Sequence, residues 1–189
     1  MRTRSTGQSA LLFLDAVEIL QREKMDYAVI GAFALSAHGT VRGTMDVDAV
    51  VHASPRQMAA LQAVFRSAGF GTELRRGDPD DPIPAMLVLR DNHGNQVDLL
   101  GGLRGLDPEV FSRALDIPLM GVGLRIVGRE DFIALKCFAG GPQDMIDAAS
   151  AYRSADGPLD LDLLRALTRR FGREAADKLE QVLAGSGGE

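Results

Sequence analysis

Acidic residues interrupt two short apolar segments that are otherwise typical of buried β-strands. Asp46 and Asp48 begin one segment, and Asp98 lies in the middle of residues 96–100. Alternate residues of a strand point to the same face, so we expect Asp46 and Asp48 on one face and Val47 on the other. This pattern predicts a sheet that carries acidic side chains on one face of two of its strands.

Two carboxylates this close repel each other, and burying them without partners would destabilise the folded state. A divalent cation removes the repulsion, and Mg²⁺ prefers carboxylate and phosphate oxygens. If the strand with Asp98 neighbours the strand with Asp46 and Asp48, three carboxylates converge, as in a two-metal phosphoryl-transfer site. Asp98 is then a candidate base for an acceptor hydroxyl. The alternative is that Asp46 and Asp48 lie at an exposed strand end and face water.

A turn of small residues precedes these acids. Residues 27–30 are typical of a short buried strand, and Gly31-Ala32 follows directly and opens a helix. Small residues let backbone N–H groups approach a phosphate closely. The alternative is an ordinary tight turn between a strand and a helix.

The remaining pattern predicts an α/β (α+β) fold, a mixed sheet with flanking helices. We expect helices over residues 9–23, 32–37, 54–68, 128–139, 142–153 and 159–184, the last divided near residue 171, and a short helix that starts at residues 107–109. We expect strands over residues 27–30, 47–51, 85–89, 96–100 and 124–127, with 85–89 and 96–100 forming a hairpin. Residues 71–84, rich in charge and proline, are expected to form a mobile loop.

These elements divide the chain into a minimal catalytic-type domain, residues 1–153, and a C-terminal helical appendage, residues 154–189. The net charge of −5 gives no general attraction to nucleic acid or anionic membranes. A single cysteine, Cys137, excludes an intramolecular disulfide and a multi-cysteine metal site. No stretch is long and apolar enough to span a bilayer, so we expect a cytoplasmic protein without a membrane partner.

The glycine turn, its spacer and the acids together resemble the DNA polymerase β-like nucleotidyltransferase superfamily. The matching residues are Gly31-Ala32, the spacer 33–45, and Asp46-Val47-Asp48-Ala49. Residues 27–51 are similar to small bacterial members, including the AbiEii-like toxins, and residues 131–136 and 142–147 are similar to a downstream signature of that group.

This resemblance implies a nucleotidyltransferase fold and a role for each matching residue. The backbone of Gly31 and Ala32 would contact the β- and γ-phosphates of a nucleoside triphosphate. Asp46, Asp48 and Asp98 would bind one or two Mg²⁺ ions. Arg42 and Thr44 would touch the triphosphate or order their loop, and Lys136 would neutralise phosphate charge as the transition state forms.

Two residues depart from the family pattern. Ala32 stands where members usually carry Gly or Ser, so a hydroxyl contact to phosphate is lost. Gln143 stands where related sequences often carry Lys, so one cation is missing. Lys136 also has a second interpretation, as a lysine whose stem is buried at the edge of the core.

Other polar residues have structural interpretations beside functional ones. Asp144 and Asp147 share one helical face and either partner Lys136 or Arg42 or lie at an exposed helix start. His38 is expected to close a short helix rather than act in catalysis. Arginines recur at four-residue spacing in the appendage and form either an RNA-binding stripe or a solvated helix face: Arg165, Arg169 and Arg173.

The site therefore predicts transfer of a nucleoside monophosphate from an NTP to an acceptor hydroxyl with release of pyrophosphate. The acceptor can be RNA such as tRNA, a protein or a small molecule, and a cognate toxin or antitoxin partner is an option. A non-catalytic binding module of the same fold, acting through protein contacts, is the alternative that Ala32 and Gln143 favour. A metal-dependent hydrolase that uses the same acids on water is a third.

Overall fold

The computed structural model describes residues 1–40, 46–154 and 157–185. The helices are α1 (Ser9–Arg22), α2 (Gly31–Ala37), α3 (Pro55–Ser67), α4 (Arg129–Ala139), α5 (Pro142–Arg153), α6 (Leu161–Arg170) and α7 (Arg173–Gly185). The strands are β1 (Tyr27–Ile30), β2 (Asp46–Val51), β3 (Gly71–Arg76), β4 (Ala85–Arg90), β5 (Gln96–Gly101), β6 (Leu115–Leu119) and β7 (Val122–Ile126). A short 3₁₀ helix spans Pro108–Phe111.

Seven strands in the described part of the chain form one mixed sheet, in the order β3-β4-β5-β2-β1-β7-β6. β2 lies at its centre, parallel to β5 on one side and antiparallel to β1 on the other. β1 is also parallel to β7, and the remaining neighbours are antiparallel. The mixed sheet with flanking helices is therefore confirmed, as is the adjacency of the two acid-bearing strands on which the predicted site depends.

The core is built from the central strands and the helices that cover them. β2 alternates as expected, with Val47 and Ala49 fully buried behind the carboxylate face. α1 packs against β2 and β5 through Leu12, Val17 and Leu20, none of which has solvent-accessible surface. No helix among the described residues is long and apolar enough to cross a membrane.

Local sequence signals explain how α3 starts and how β4 and β5 are joined. Ser54 caps α3 by a reciprocal hydrogen-bond pair with Gln57, and a proline occupies the first helical position. Between β4 and β5, the Asp91 side chain accepts hydrogen bonds from the backbone N–H groups of His93 and Asn95, and Gly94 has φ +80°. The helix and the hairpin were both predicted and are confirmed.

The prediction of one mobile loop over residues 71–84 was wrong in its first half. Residues 71–76 form β3, an edge strand in which Thr72 and Leu74 are half-buried while Glu73 and Arg75 are exposed. Only one of these residues is strongly apolar, so the sequence does not show the alternation of apolar and polar residues that indicates a strand. β6 also went unassigned: it is the opposite edge strand and forms a hairpin with β7 through Met120 and Gly121, both at positive φ.

The C-terminal helices pack on the helical layer. α6 and α7 lie against α4 and against each other, and they bury Leu164, Leu167, Leu179 and Val182 in the same apolar cluster as the sheet residues. Phe138 of α4 stacks on Phe171, which follows α6, with ring centroids 4.8 Å apart. The appendage expected over residues 154–189 thus shares its apolar contacts with the preceding domain.

Candidate active site

The site is centred on two carboxylates that face each other across β2 and β5. Asp48 is the register partner of Asp98 in this parallel pair, and Asp46 is the partner of Gln96. Neighbouring strands lie about 4.8 Å apart, so the side chains of Asp48 and Asp98 are immediate neighbours. Both are half-buried, whereas Asp46 is exposed at the end of its strand. The structure therefore brings all three predicted acids to one face, with Asp48 and Asp98 innermost.

Gly31 lies directly beside Asp48. Ile30, the last residue of β1, is the register partner of Asp48, and Gly31 begins α2 with φ +68°. A Cβ atom added to Gly31 would lie 2.4 Å from Asp48 Oδ2, closer than any real contact. Glycine is thus required here twice, for its positive φ and for its lack of a side chain. Ala32 follows and is buried.

The electrostatics of the pair favour a cation. Burial, together with the negative charges of Asp98 and Asp46, raises the pKa of Asp48 to about 6, and Lys136 opposes that rise. Burial also raises the pKa of Asp98, against a hydrogen bond from Gln96 and the charges of Arg75 and Arg90. The ionised form of each inner carboxylate is therefore disfavoured, and a bound cation would relieve this.

The donor chemistry of the site fits Mg²⁺, which takes carboxylate oxygens and commonly retains water and phosphate ligands. Within residues 1–40, 46–154 and 157–185, however, no three His, Cys, Asp or Glu side chains are gathered closely enough to hold a metal ion by themselves. Asp48 and Asp98 would therefore supply two ligands, and the substrate phosphate, water or Asp46 would have to complete the set.

Lys136 extends from α4 and forms ion pairs with two acids of α5. Its Nζ atom is 2.8 Å from Asp144 Oδ1 and 2.9 Å from Asp147 Oδ2, and it lies 5.7 Å from the centre of the Phe132 ring. Gln143 donates a hydrogen bond to Asp147 Oδ1 at 2.9 Å. The residues similar to the family's downstream signature thus form one network, in which Asp144 and Asp147 partner Lys136 as one interpretation predicted.

An apolar cavity of about 150 Å³ lies beside the glycine turn and under α4. Its lining residues come from the end of β1 and the start of α2, the loop before β4, the end of β5 and the loop after it, α4 and α5: Ile30, Gly31, Ile83, Leu100, Leu103, Phe132, Leu135, Lys136, Phe138, Ala139 and Asp144. Leu100 is two residues beyond Asp98 on the same face of β5, so the cavity continues from the carboxylate pair. It is large enough for a single flat ring system.

A larger cavity, about 590 Å³, lies away from the carboxylates at the C-terminal end of α2. Its main cation, Arg113, is bound to Asp131 at 2.8 and 2.7 Å and to Asp107 at 3.2 Å. His38, also in its wall, has Nε2 at 3.0 Å from the Val127 carbonyl oxygen. Burial lowers the pKa of His38, in keeping with the structural role predicted for it.

Several residues noted in the sequence lie outside the site or outside the description. Arg42 and Thr44 fall in residues 41–45, which the structure does not describe. Cys137 is buried and its pKa is raised to about 11 by burial. In the appendage, Arg165 forms an ion pair with Glu180, exposed Arg173 lies 3.8 Å from Asp177, and the neighbouring Arg170 donates to the carbonyls of Gly105 and Leu106.

The sequence interpretation missed a polar network on the strands beyond Asp98. Gln96 donates to both carboxylate oxygens of Asp98, at 3.0 and 3.1 Å, and Arg90 donates to Gln96. Glu73 binds both Arg90 and Arg75, and these two guanidinium groups lower its pKa to about 2. The available signal was the alternation of Gln96 with Asp98 on one strand face; the rest depends on the undetected strand β3.

Comparison with solved structures identifies relatives of this architecture. A nucleotidyltransferase-like protein from Paracoccidioides brasiliensis superposes with a TM-score of 0.57, at 17% identity, over 95% of this chain and 88% of the other. ANT(2″)-Ia, solved with adenylyl-2″-tobramycin, gives a TM-score of 0.59 at 14% identity, over 88% and 97% of the two chains. The lincosamide adenylyltransferase LnuA, solved with lincomycin, gives 0.50 at 12% identity, over 81% and 100%.

No protein-family model matches the sequence, and no curated protein matches it. At these identities the structural likeness bears on the fold alone. It agrees with the glycine turn beside the paired acids, which the sequence pattern had linked to the same architecture. The chain therefore has the nucleotidyltransferase fold.

Proposed function

We propose that this protein is a Mg²⁺-dependent nucleotidyltransferase, which moves a nucleoside monophosphate from an NTP to an acceptor hydroxyl. The observation that carries the proposal is the direct opposition of Asp48 and Asp98 beside Gly31. A half-buried carboxylate pair is costly unless it has a positively charged ligand to hold. Because Gly31 has no side chain, the Asp48 carboxylate lies directly against the turn whose backbone N–H groups would bind phosphate.

In the proposed reaction the acceptor oxygen attacks the α-phosphorus and the bond from that phosphorus to the bridging oxygen breaks. Pyrophosphate leaves with the bond electrons, and the acceptor proton passes to Asp98 or to solvent. When bound, Mg²⁺ would neutralise the developing negative charge on the phosphoryl oxygens. Asp46, Asp48 and Asp98 would hold it, and the backbone N–H groups of Gly31 and Ala32 would bind the β- and γ-phosphates.

Lys136 would supply positive charge from the far side of the site. The proposal is supported by the charge of Lys136, which opposes the rise in the pKa of Asp48. The ion pairs with Asp144 and Asp147 hold it on α4 and reduce its net charge. Arg42 and Thr44 would reach the triphosphate from residues 41–45. The apolar cavity under α4 would receive a ring of the nucleotide or of the acceptor.

The acceptor class is the open part of the proposal. ANT(2″)-Ia and LnuA were solved with antibiotics, so a small hydroxylated molecule is one acceptor to test. An RNA such as tRNA and a protein side chain are the other acceptors to test, and either is compatible with a toxin–antitoxin role in the cytoplasm. The net charge of −5 gives no general attraction to RNA.

A transfer assay tests the proposal. Purified protein, Mg²⁺ and each α-³²P-labelled NTP would be mixed with total RNA, with a desalted protein lysate, or with hydroxylated antibiotics including tobramycin and lincomycin. We expect label in one acceptor pool, and loss of at least about 99% of it in Asp46→Asn/Asp48→Asn, because removing a charge-stabilising group commonly costs 10²–10³ in rate. Asp116→Asn, at an exposed carboxylate, is the matched control. Equal labelling by the double variant would refute the proposal.

A binding module without turnover is the second candidate. It is favoured by Ala32 in the turn and by the network around Lys136. In that network Gln143 stands where related sequences often carry Lys, and the Lys136 ammonium group is already paired with two carboxylates. NTP binding without transfer in all three acceptor pools would support it, as would binding that the Asp46→Asn/Asp48→Asn change leaves unaltered.

A further inference from the structure

A continuous line of hydrogen bonds crosses the exposed face of β3, β4 and β5 and ends on Asp98. Arg75 Nε donates to Glu73 Oε1 at 2.7 Å, and Arg90 Nη1 donates to Glu73 Oε2 at 3.0 Å. Arg90 Nε donates to Gln96 Oε1 at 3.0 Å. The Nε2 atom of Gln96 then donates to Oδ1 and Oδ2 of Asp98 at 3.0 and 3.1 Å.

The strand register explains why these side chains meet. Gln96 is the partner of Arg90 across β5 and β4, and Asp98 is the partner of Val88 two positions along. Val88 in turn faces Glu73 across β4 and β3. Residues two apart share a face, so Gln96 and Arg90 lie next to Asp98 on the same side of the sheet.

Arg90 determines which end of the Gln96 amide faces Asp98. A guanidinium group only donates hydrogen bonds, so it binds the carbonyl oxygen of the amide and not its nitrogen. The NH₂ group is therefore directed to the carboxylate. Glu73 holds Arg90 in turn, and Arg75 holds Glu73, so the amide orientation is over-determined.

We propose that Gln96 is a positioning residue for Asp98: its amide, oriented by Arg90, fixes the rotamer in which the Asp98 carboxylate lies opposite Asp48. The inference rests on the proposed function to the extent that Asp98 acts there on a metal ion and an acceptor. The amide holds both carboxylate oxygens at once, so it restrains rotation about the last side-chain bond. Partners of ligating carboxylates commonly change metal affinity or activity by about 10–100-fold when they are removed.

Surface stabilisation is the competing explanation of the network. The side chains of Arg75, Glu73 and Arg90 are 49%, 45% and 40% exposed. Ion pairs this exposed contribute little to the free energy of folding. Gln96, by contrast, is half-buried between them and the carboxylate. The two explanations make different predictions. If Gln96 positions Asp98, replacing Gln96 should lower activity strongly and change the free energy of unfolding only slightly.

Gln96→Leu removes the amide at similar volume, and Gln181→Leu makes the same change on the exposed face of α7 as a control. We expect the turnover number for transfer to fall about 10–100-fold in Gln96→Leu, with KM for the NTP within about threefold of wild type. Gln96→Glu keeps an oxygen for Arg90 but presents no donor to Asp98, so its turnover number should fall by the same factor. It replaces Gln96→Leu in the test if that variant folds poorly. Unchanged turnover in a folded Gln96 variant would overturn the inference.

Two readouts do not depend on turnover. In ¹H–¹⁵N spectra, the side-chain NH₂ signal of Gln96 should move in Asp98→Ala and stay in place in Asp116→Ala. Titration with Mn²⁺ followed by water-proton relaxation should show about 10–100-fold weaker binding in Gln96→Leu than in wild type. An amide signal that ignores Asp98→Ala, or Mn²⁺ binding equal in both proteins, contradicts the inference. If the wild-type protein transfers no nucleotide but both of these responses are observed, the result contradicts the proposed function and not this inference.

Discussion

Gly31 and Asp48 occupy a space that admits only one side chain. The Asp48 carboxylate fills the position that a Cβ atom on residue 31 would take, and the φ of +68° also disfavours any other residue. A side chain at residue 31 would therefore displace the Asp48 carboxylate as well as strain the turn. This contact with the carboxylate distinguishes Gly31 from a glycine that only ends a strand.

Gly31→Ala should destabilise the fold by about 2–4 kcal/mol, from a positive-φ cost of about 1–2 kcal/mol and displacement of Asp48. Gly94→Ala is the matched control, because Gly94 has φ +80° with no atom within 4 Å of the added Cβ. It should lose only about 1–2 kcal/mol. Urea unfolding of both variants measures the difference. Equal losses would show that Asp48 does not lie against the turn.

Asp48 should also make stability depend on pH. Its pKa is raised from 3.8 to about 6 on folding, so the folded state is favoured while the group is protonated. That contribution is complete below pH 4 and is lost as pH rises through 6. The shift of about two pKa units corresponds to roughly 2–3 kcal/mol.

Asp48→Asn removes this penalty. Relative to wild type, the variant should gain about 2–3 kcal/mol in free energy of unfolding between pH 4 and pH 8, measured by urea denaturation without divalent cations. The exposed-site variant Asp116→Asn, compared in the same way, controls for the change in net charge. A difference between Asp48→Asn and wild type that is constant with pH, or that shrinks as pH rises, would contradict the assigned environment of Asp48.

At the scale of elements, the central strands could be predicted and the edge strands could not. β1, β2, β4 and β5 are buried apolar segments, and their side-chain pattern reports burial directly. β3 and β6 lie at the two edges of the sheet, where one side of each strand pairs with no other strand of the described residues. Edge strands carry charges and proline that blunt further pairing, as Arg75, Glu73 and Pro118 do here. Their composition therefore resembled that of a loop.

The same limit applied to the site. Local spacing sufficed to place Asp46 and Asp48 on one face and to propose Asp98 as a neighbour, because these relations follow from strand geometry. The role of Gln96 could not be inferred, since it depends on Arg90 and on Glu73 in an edge strand. The ion pairs of Lys136 with Asp144 and Asp147 depend on how α4 meets α5, which only the three-dimensional structure supplies.

At the scale of the molecule, the carboxylate site lies where the sheet meets the helical layer. The sheet supplies Asp46, Asp48 and Asp98, α2 begins at Gly31, and α4 supplies Lys136 and four more of the eleven residues that line the cavity. The helices α6 and α7 pack against α4. The solved proteins with this fold match 95% and 88% of the chain.

Calorimetric titration of each NTP into the protein, with Mg²⁺ and with EDTA, tests the central claim most directly. We predict binding of at least one NTP that requires Mg²⁺ and that weakens by at least about tenfold, or 1.4 kcal/mol, in Asp46→Asn/Asp48→Asn. Binding should be unchanged in Asp116→Asn. Equal affinity with and without Mg²⁺, or in the double variant, would contradict the claim that these carboxylates hold a metal-bound nucleotide.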